Sequence, residues 1–258
     1  MLNKLLNIFS SDAKVRQSSI LLLVTLGNIP LSILSSIVLT DYLGAKGFGD
    51  FSLLMSIFNL SIVIFNFGIF QGGNRLLVLN QLRERAKSYY GALLISFFLL
   101  FSFMSICLLF FGLFDANLEE KGLNKIFIYM LPFGWLFLMT KFYDSLLPAD
   151  NKINQLAACR FLIVFGHLLF YVIAYCLFED PSFGKLEIIL VGYLIANLIV
   201  FIYLISVLKP NLTYLSKNIR KVYIETKNFG FNVYLGGLIG VGITHLTGLI
   251  ISYYSSGN

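Results

Sequence analysis

Charged residues are scarce in this chain. Asp, Glu, Lys and Arg together make up 12% of its 258 residues, whereas a soluble domain has about 25%. Hydrophobic residues make up 58%, and the mean hydropathy is +0.83. One soluble core of this length cannot bury so much apolar surface, so the composition excludes an ordinary soluble protein.

Cysteines are few, and soluble-type catalytic motifs are missing. Cys107, Cys159 and Cys176 lie in or near apolar runs and do not have the spacing of metal ligands. We interpret them as small apolar side chains. The sequence also lacks a phosphate-binding glycine loop and a Ser–His–Asp set. We therefore expect no cofactor and no enzymatic activity.

What the chain does have is a series of long apolar runs. Each is about 20 residues or longer, the length that a helix needs to cross a hydrocarbon core of about 30 Å. Six runs occupy residues 19–40, 51–73, 89–114, 126–147, 156–178 and 188–208, and a seventh begins near Phe229. Helices satisfy their own backbone hydrogen bonds, so the pattern predicts an all-α, polytopic membrane helical bundle.

The basic residues predict the orientation of this bundle. Fifteen of the nineteen Lys and Arg residues lie in the N-terminal segment and in the even-numbered connectors, and the others are Lys46, Lys121, Lys125 and Lys185. Cytoplasmic loops are the ones rich in Lys and Arg. We expect a multi-pass protein of the cell inner (cytoplasmic) membrane with a cytoplasmic N-terminus. The net charge of +6 is explained by this distribution, so we expect no nucleic-acid partner.

The same pattern divides the chain into segments. Residues 1–17 are predicted to form a cytoplasmic interfacial segment, because apolar residues in its first nine positions recur at helical spacing. Residues 18–208 form the six-span bundle. Residues 209–228 form a basic cytoplasmic linker helix, with Leu215, Ile219, Val222 and Tyr223 on its apolar face. Residues 229–258 are expected to be the first span of an incomplete second bundle.

Two glycine-rich segments flank the second run. Residues 43–49 read Leu-Gly-Ala-Lys-Gly-Phe-Gly, and residues 67–75 read Phe-Gly-Ile-Phe-Gln-Gly-Gly-Asn-Arg. The first segment predicts a tight hairpin between two antiparallel helices, because glycine tolerates positive φ; its glycines are Gly44, Gly47 and Gly49. The second predicts close helix packing through Gly68, Gly72 and Gly73.

These segments, with the order of the spans, resemble the polysaccharide biosynthesis flippases. This is the family of Wzx-type O-antigen and capsule transporters, within the multidrug/oligosaccharidyl-lipid/polysaccharide exporter superfamily. The resemblance implies a MATE-like fold, here a six-helix N-terminal lobe plus a seventh span. It also implies that a lipid-linked oligosaccharide, such as a lipopolysaccharide repeat unit, is flipped by alternating access, with H⁺ or Na⁺ as coupling ion.

The length of the chain and three alternative functions remain open. Family members usually have about twelve to fourteen spans, so the chain is expected to be a truncated form or to pair with a second half-length chain. A cation-coupled multidrug exporter of the same superfamily shares the layout, although many of these carry an acid in the first span, where this chain has Asn28. An integral-membrane polysaccharide polymerase or glycosyltransferase should have larger outer loops with clustered acids. A structural partner without transport activity also fits the short length.

Polar residues inside the apolar runs are the candidate site residues, because such residues are costly in a bilayer. We expect them to line a substrate-binding cavity in which cations meet a diphosphate or an acidic sugar. They are Asn28, Asn66, Arg75, Lys141, Asp144, Arg160, His167 and His245.

Structural roles are the alternative for several of these residues. Lys141 and Asp144 lie three residues apart on one helix face and can pair. Arg160 can extend to the inner surface. His167 can form a hydrogen bond between two helices rather than act as a proton relay. Asn66 continues a polar stripe with Ser52 and Asn59, which can also serve helix packing. Asn28 precedes Pro30, which is predicted to kink the first span.

Overall fold

The computed structural model describes residues 13–79, 83–178 and 184–254, and all regular structure within these ranges is helical. The helices are α1 (Ala13–Phe65), α2 (Ile69–Leu79), α3 (Arg83–Phe114), α4 (Ala116–Glu120), α5 (Asn124–Met130), α6 (Trp135–Ala149), α7 (Ile153–Leu177), α8 (Lys185–Leu208), α9 (Leu215–Glu225) and α10 (Phe231–Tyr254). A 3₁₀ turn spans Leu131–Phe133, and a π-helical turn spans Thr226–Gly230. The interfacial helix predicted over residues 1–9 lies outside the described residues.

Four helices are long and apolar enough to cross a membrane, by length and composition. They are Val15–Phe65, Ala86–Phe114, Ile153–Leu177 and Lys185–Leu208. A fifth results if Asn124–Phe133 and Trp135–Ala149, which meet at 44°, are counted as one span. The predicted class, a helical membrane protein, is confirmed. The six-span count, the MATE-like lobe and the segment boundaries remain predictions.

Helix α1 is too long for one crossing and is broken in the middle. Its 53 residues would extend about 80 Å if straight. Gly44 breaks it, with φ 69° and ψ 175°. Ser32 and Asn59 line one cavity, although on a straight helix they would lie about 40 Å apart. The two arms therefore fold back along each other. The predicted hairpin is confirmed at Gly44, whereas Gly47 and Gly49 keep a helical backbone.

The second predicted run, residues 51–73, is not one continuous helix. Residues 66–68 form a turn between α1 and α2, in which Phe67 and Gly68 have φ values of 46° and 75°. Gly68 packs directly against the carbonyl group of Gly230 in the π-helical turn. A Cβ at Gly72 would lie 2.8 Å from the backbone nitrogen of Thr226. The predicted close packing at these glycines is confirmed, and their neighbour is the π-helical turn.

The core and the outer surface are both apolar. Large, fully buried side chains come from α1, α2, α3, α5 and α6, among them Phe58, Phe70, Phe97, Phe127 and Phe137. Leucine, isoleucine and phenylalanine side chains also cover the exposed faces of the long helices, for example Ile37, Phe110 and Ile202. Such faces are suited to contact with lipid chains.

Contacts between connectors separate them into two ends. At one end, Tyr42 Oη donates to the Phe178 carbonyl at 2.9 Å, and Lys185 Nζ lies 5.1 Å from the Tyr42 ring centroid. At the other end, the Asn211 N–H donates to the Lys87 carbonyl at 2.9 Å. The first and fifth predicted connectors thus share one end, and the second and sixth share the other, in agreement with the predicted alternation. Which end is cytoplasmic remains a prediction.

Helix α9 covers the second of these ends. Its predicted apolar face is confirmed for Val222, which is buried, and for Leu215 and Ile219, which pack against the core. Tyr223, which the sequence placed on the same apolar face, is exposed. Lys221 Nζ donates to Tyr89 Oη at 3.1 Å and ties α9 to α3.

Candidate functional site

A charged pair joins α6 to α7. Arg160 donates to Asp144 Oδ1 from Nη2 at 2.8 Å and from Nε at 3.0 Å, and each side chain is 36% exposed. The sequence allowed Lys141 to pair with Asp144, and this interpretation was wrong. A guanidinium directs two N–H groups to one carboxylate, which an ammonium group cannot do in fixed geometry. Lys141 has no ion pair within the described residues. The alternative in which Arg160 only extends to the inner surface is also wrong, because its guanidinium is paired with Asp144.

Asn28 links the first arm of α1 to α7 at Arg160. Its Nδ2 donates to the Arg160 carbonyl at 3.2 Å, and its Oδ1 is buried without a partner among the described residues. The backbone stays helical at Pro30, so the break in α1 occurs at Gly44 and not at the proline. We call Asn28, Asp144 and Arg160 the polar cluster.

A cavity of about 410 Å³ lies between the two arms of α1, α7 and α8. It begins one to two helical turns from the polar cluster, toward Gly44, since Ser32 follows Asn28 and His167 follows Arg160. No Asp, Glu, Lys or Arg lines it within the described structure. We call it the serine cavity, after five serines that share its lining with Asn59: Ser32, Ser35, Ser36, Ser52 and Ser56.

His167 lines the serine cavity and also contacts α8. Asn197 Nδ2 lies 3.2 Å from His167 Nε2 and donates to the Tyr193 carbonyl at 2.8 Å. The bond to the carbonyl identifies this Asn197 atom as the amide nitrogen, so His167 Nε2 is the acceptor. In the neutral ring the proton is therefore on Nδ1. Of the two readings of His167, the structure supports the helix-to-helix hydrogen bond.

Arg75 and Asn66 lie away from the serine cavity. Arg75 Nε is 3.7 Å from Glu225 Oε2, and its guanidinium lies 4.8 Å from the Phe229 ring centroid. Asn66 Nδ2 donates to Gln71 Oε1 at 3.4 Å, while its Oδ1 is buried without a partner in the described part of the chain. Both residues stand where α2 meets the segment after α9. Arg75 joins α2 to the linker, whereas the hydrogen bond of Asn66 lies between the turn and α2.

His245 is the last of the predicted site residues. It lies on α10, and its side chain falls outside the part of the structure that is described. The eight predicted residues thus do not form one site. Three of them form the polar cluster, and one lines the serine cavity.

The comparison with protein families decides the class of this chain. A family model described as "Polysaccharide biosynthesis protein" matches residues 15–258. The chain belongs to this family. No curated protein and no solved structure matches it. Together with its long apolar helices, the match identifies a membrane protein of the polysaccharide biosynthesis family, in agreement with the resemblance carried by residues 39–75.

In this polysaccharide biosynthesis protein, the sequence reasoning missed most of the cavity lining. Ser32, Ser35 and Ser36 recur at spacings of three and four, as do Ser52, Ser56 and Asn59 on the other arm. Residues at these spacings lie on one helix face. The sequence therefore contains a pattern that predicts this lining: one helix face with small hydroxyl side chains on each side of Gly44. No sequence pattern predicts that Tyr171 and Tyr193 line the cavity, because aromatic residues are common throughout the apolar runs.

Proposed function

We propose that this chain moves a lipid-linked oligosaccharide, the repeat unit of a polysaccharide, across the inner membrane by alternating access. The observation that carries the proposal is the serine cavity, an open space lined by five serines and Asn59 between helices that are long and apolar enough to cross a membrane. A polar headgroup needs such a space, because bare hydrocarbon offers it no hydrogen bonds. Membership of the polysaccharide biosynthesis family supports a saccharide as the cargo.

The lipid part of the cargo stays in the bilayer in this proposal. The faces of α1, α3 and α8 that carry exposed aliphatic and aromatic side chains are compatible with an adjacent hydrocarbon chain. Only the headgroup then has to leave water, and binding groups in the cavity compensate part of that cost.

The proposed orientation assigns the two polar features to different halves of the membrane. With the basic connectors inside, the serine cavity belongs to the outer half and the polar cluster to the inner half. The Asn28–Arg160 contact and the Asp144–Arg160 pair then join the first arm of α1, α6 and α7 on the inner side. Opening toward the inside requires this arm to separate from α7, and the break at Gly44 is a point where it can pivot. H⁺ or Na⁺ supplies the driving force in this proposal.

A complementation experiment tests the proposal. In cells that lack the chain, lipid-linked repeat units should accumulate on the inner side while surface polysaccharide is lost, and the wild-type gene should restore both. Normal surface polysaccharide with altered drug sensitivity would instead indicate a multidrug exporter. Repeat units that reach the outer side but remain single would indicate a polymerase.

A further inference from the structure

The serine cavity holds hydrogen-bonding groups that the protein does not use. The five serine hydroxyls and the Asn59 amide make no side-chain hydrogen bond to any described residue. Ser35 is the strongest case, since it is only 9% exposed and its Oγ is buried without a partner. A buried hydroxyl without a partner costs about 1–3 kcal/mol. Ser35 Oγ therefore needs a ligand or water, and the more exposed polar groups around it can bind the same ligand.

Six hydroxyls elsewhere on the long helices behave differently, although Ser105 Oγ on α3 is also buried without a partner among the described residues. The six donate to the carbonyl four residues earlier at 2.7–2.9 Å, and they are Ser19, Thr25, Thr40, Ser61, Ser96 and Ser102. This bond to the same helix is the usual solution where water is scarce. What distinguishes the cavity lining is that all five of its serines lack this bond and lie together around one space.

A rigid aromatic wall faces these hydroxyls. His167 stacks on Tyr193, with centroids 4.3 Å apart, and Tyr193 stacks on Phe137 at 5.0 Å. Phe137 in turn stacks on the buried Phe58 at 4.6 Å. Asn197 fixes His167 through Nε2, so the remaining ring donor is the Nδ1 proton. Because stacked rings and the Asn197 hydrogen bond fix the positions of Tyr193 and His167, this side of the cavity is preorganised for a ligand.

The charge of the lining indicates the charge of the ligand. A phosphate or carboxylate in the cavity would lose its hydration without meeting a cation, which is costly. Ser36 also lines a depression that contains Asp41, whose carboxylate further disfavours an anion there. A sugar ring suits the cavity instead, because each of its hydroxyls donates and accepts, as serine hydroxyls and the Asn59 amide do.

We propose that the serine cavity is a subsite for an uncharged sugar residue of the cargo, while the anionic link to the lipid lies outside it. The proposal rests on the proposed function and names the part of the cargo that this cavity recognises. A volume of about 410 Å³ lies within the range of small-molecule sites, roughly 300–1,000 Å³.

Binding to the full chain in lipid nanodiscs tests this subsite. The probes are a short prenyl diphosphate, the same compound bearing one neutral hexose, and the same compound bearing a hexuronic acid. The neutral sugar should tighten binding by about tenfold or more, as two or more new hydrogen bonds would, and the uronic acid should not. The double variant Ser52→Ala/Ser56→Ala should lose this gain. Ser61→Ala, on the same arm but bonded to its own helix, should keep it.

A second measurement does not depend on the folding of the double variant. A cysteine at Ser36, in a chain whose native cysteines are alanine, should be protected from a maleimide by the neutral-sugar probe and not by the sugar-free one. Equal binding of all three probes, or an unchanged gain in the double variant, would overturn the subsite. If the chain restores surface polysaccharide but does not discriminate the probes, only the subsite fails. If it discriminates them but restores nothing, the proposed function fails.

Discussion

The Asp144–Arg160 pair places two formal charges on helices that are otherwise apolar. Charges in membrane segments are costly, and pairing lowers that cost. Both side chains are about one-third exposed, so part of their solvation is retained and the pair is worth less than a fully buried one. Removing one partner still leaves the other uncompensated beside apolar helices. The pair thus stabilises the contact between α6 and α7.

Asp144→Asn should therefore destabilise the chain by about 1–2 kcal/mol and lower surface polysaccharide, because Arg160 keeps its charge but loses its counterion. Thermal unfolding in detergent measures the first effect. The exchange Asp144→Arg/Arg160→Asp should recover part of the loss. Lys141→Gln is the matched control, since Lys141 has no ion pair among the described residues. A loss as large in the control as in Asp144→Asn would contradict this account.

Asn197 supports the serine cavity through its contact with His167. It is only 1% exposed and bonds both His167 and the Tyr193 carbonyl. Asn197→Leu should cost about 0.6–1.7 kcal/mol, the range for interhelical hydrogen bonds in membranes, and should loosen the aromatic wall. Unfolding temperature and surface polysaccharide should both fall. Thr25→Val, at an exposed hydroxyl bonded to its own helix, serves as control. Unchanged stability of Asn197→Leu would show that this bond does not hold the wall.

At the scale of elements, the junction of α1, α2 and the π-helical turn is a close backbone-to-backbone contact that depends on glycine on both sides. Gly68 combines a positive φ with direct contact to the Gly230 carbonyl group, so a side chain is disfavoured both by conformation and by space. Arg75 on α2 and Glu225 at the end of α9 form an ion pair beside this junction, with 3.7 Å between Nε and Oε2. The linker is thereby attached to the first 79 residues at this point.

Gly68→Ala and Gly230→Ala should each destabilise the chain by about 2–3 kcal/mol or more, because the new methyl group forces two backbones apart. Gly236→Ala offers a matched control on α10, since nothing lies within 4 Å of the added Cβ. There the change should be neutral or slightly stabilising. Thermal unfolding of the three variants decides the matter. Equal effects at Gly230 and Gly236 would refute the close contact.

The elements also show where sequence reasoning reaches its limit. The turn at Gly44 was predictable, because its glycine requirement is local. The break at residues 66–68 was not, since its cause includes Gly230, more than 160 positions later. The bend at residues 131–134 had a local signal, Pro132 and Gly134, that the apolar run concealed. Arg160 replaced Lys141 as the partner of Asp144 because helix packing, which periodicity does not reveal, brings α7 beside α6.

For the whole molecule, the alternation of connectors links sequence to architecture. Contacts group residues 42, 178 and 185 at one end, and residues 87, 89, 211 and 221 at the other. The second group belongs to the connectors that hold most of the basic residues. The amphipathic α9 lies at that end too. A helix with a basic outer face is suited to a membrane surface that carries anionic lipid headgroups.

This arrangement predicts that Lys46 and Lys217 lie on opposite sides of the membrane, with Lys217 inside. Both residues are exposed, so cysteines placed there are accessible. The native Cys107, Cys159 and Cys176 are first replaced by alanine. A membrane-impermeant maleimide should label position 46 in intact cells, and position 217 only after the cells are permeabilised. Positive-inside bias predicts this result, because fifteen of nineteen basic residues lie in or beside the N-terminal segment and the predicted even-numbered connectors, with Lys141 and Arg160 on the adjoining helices. Labelling of both positions in intact cells would refute the alternation, and labelling of position 217 alone would invert the orientation and move the serine cavity to the inner half.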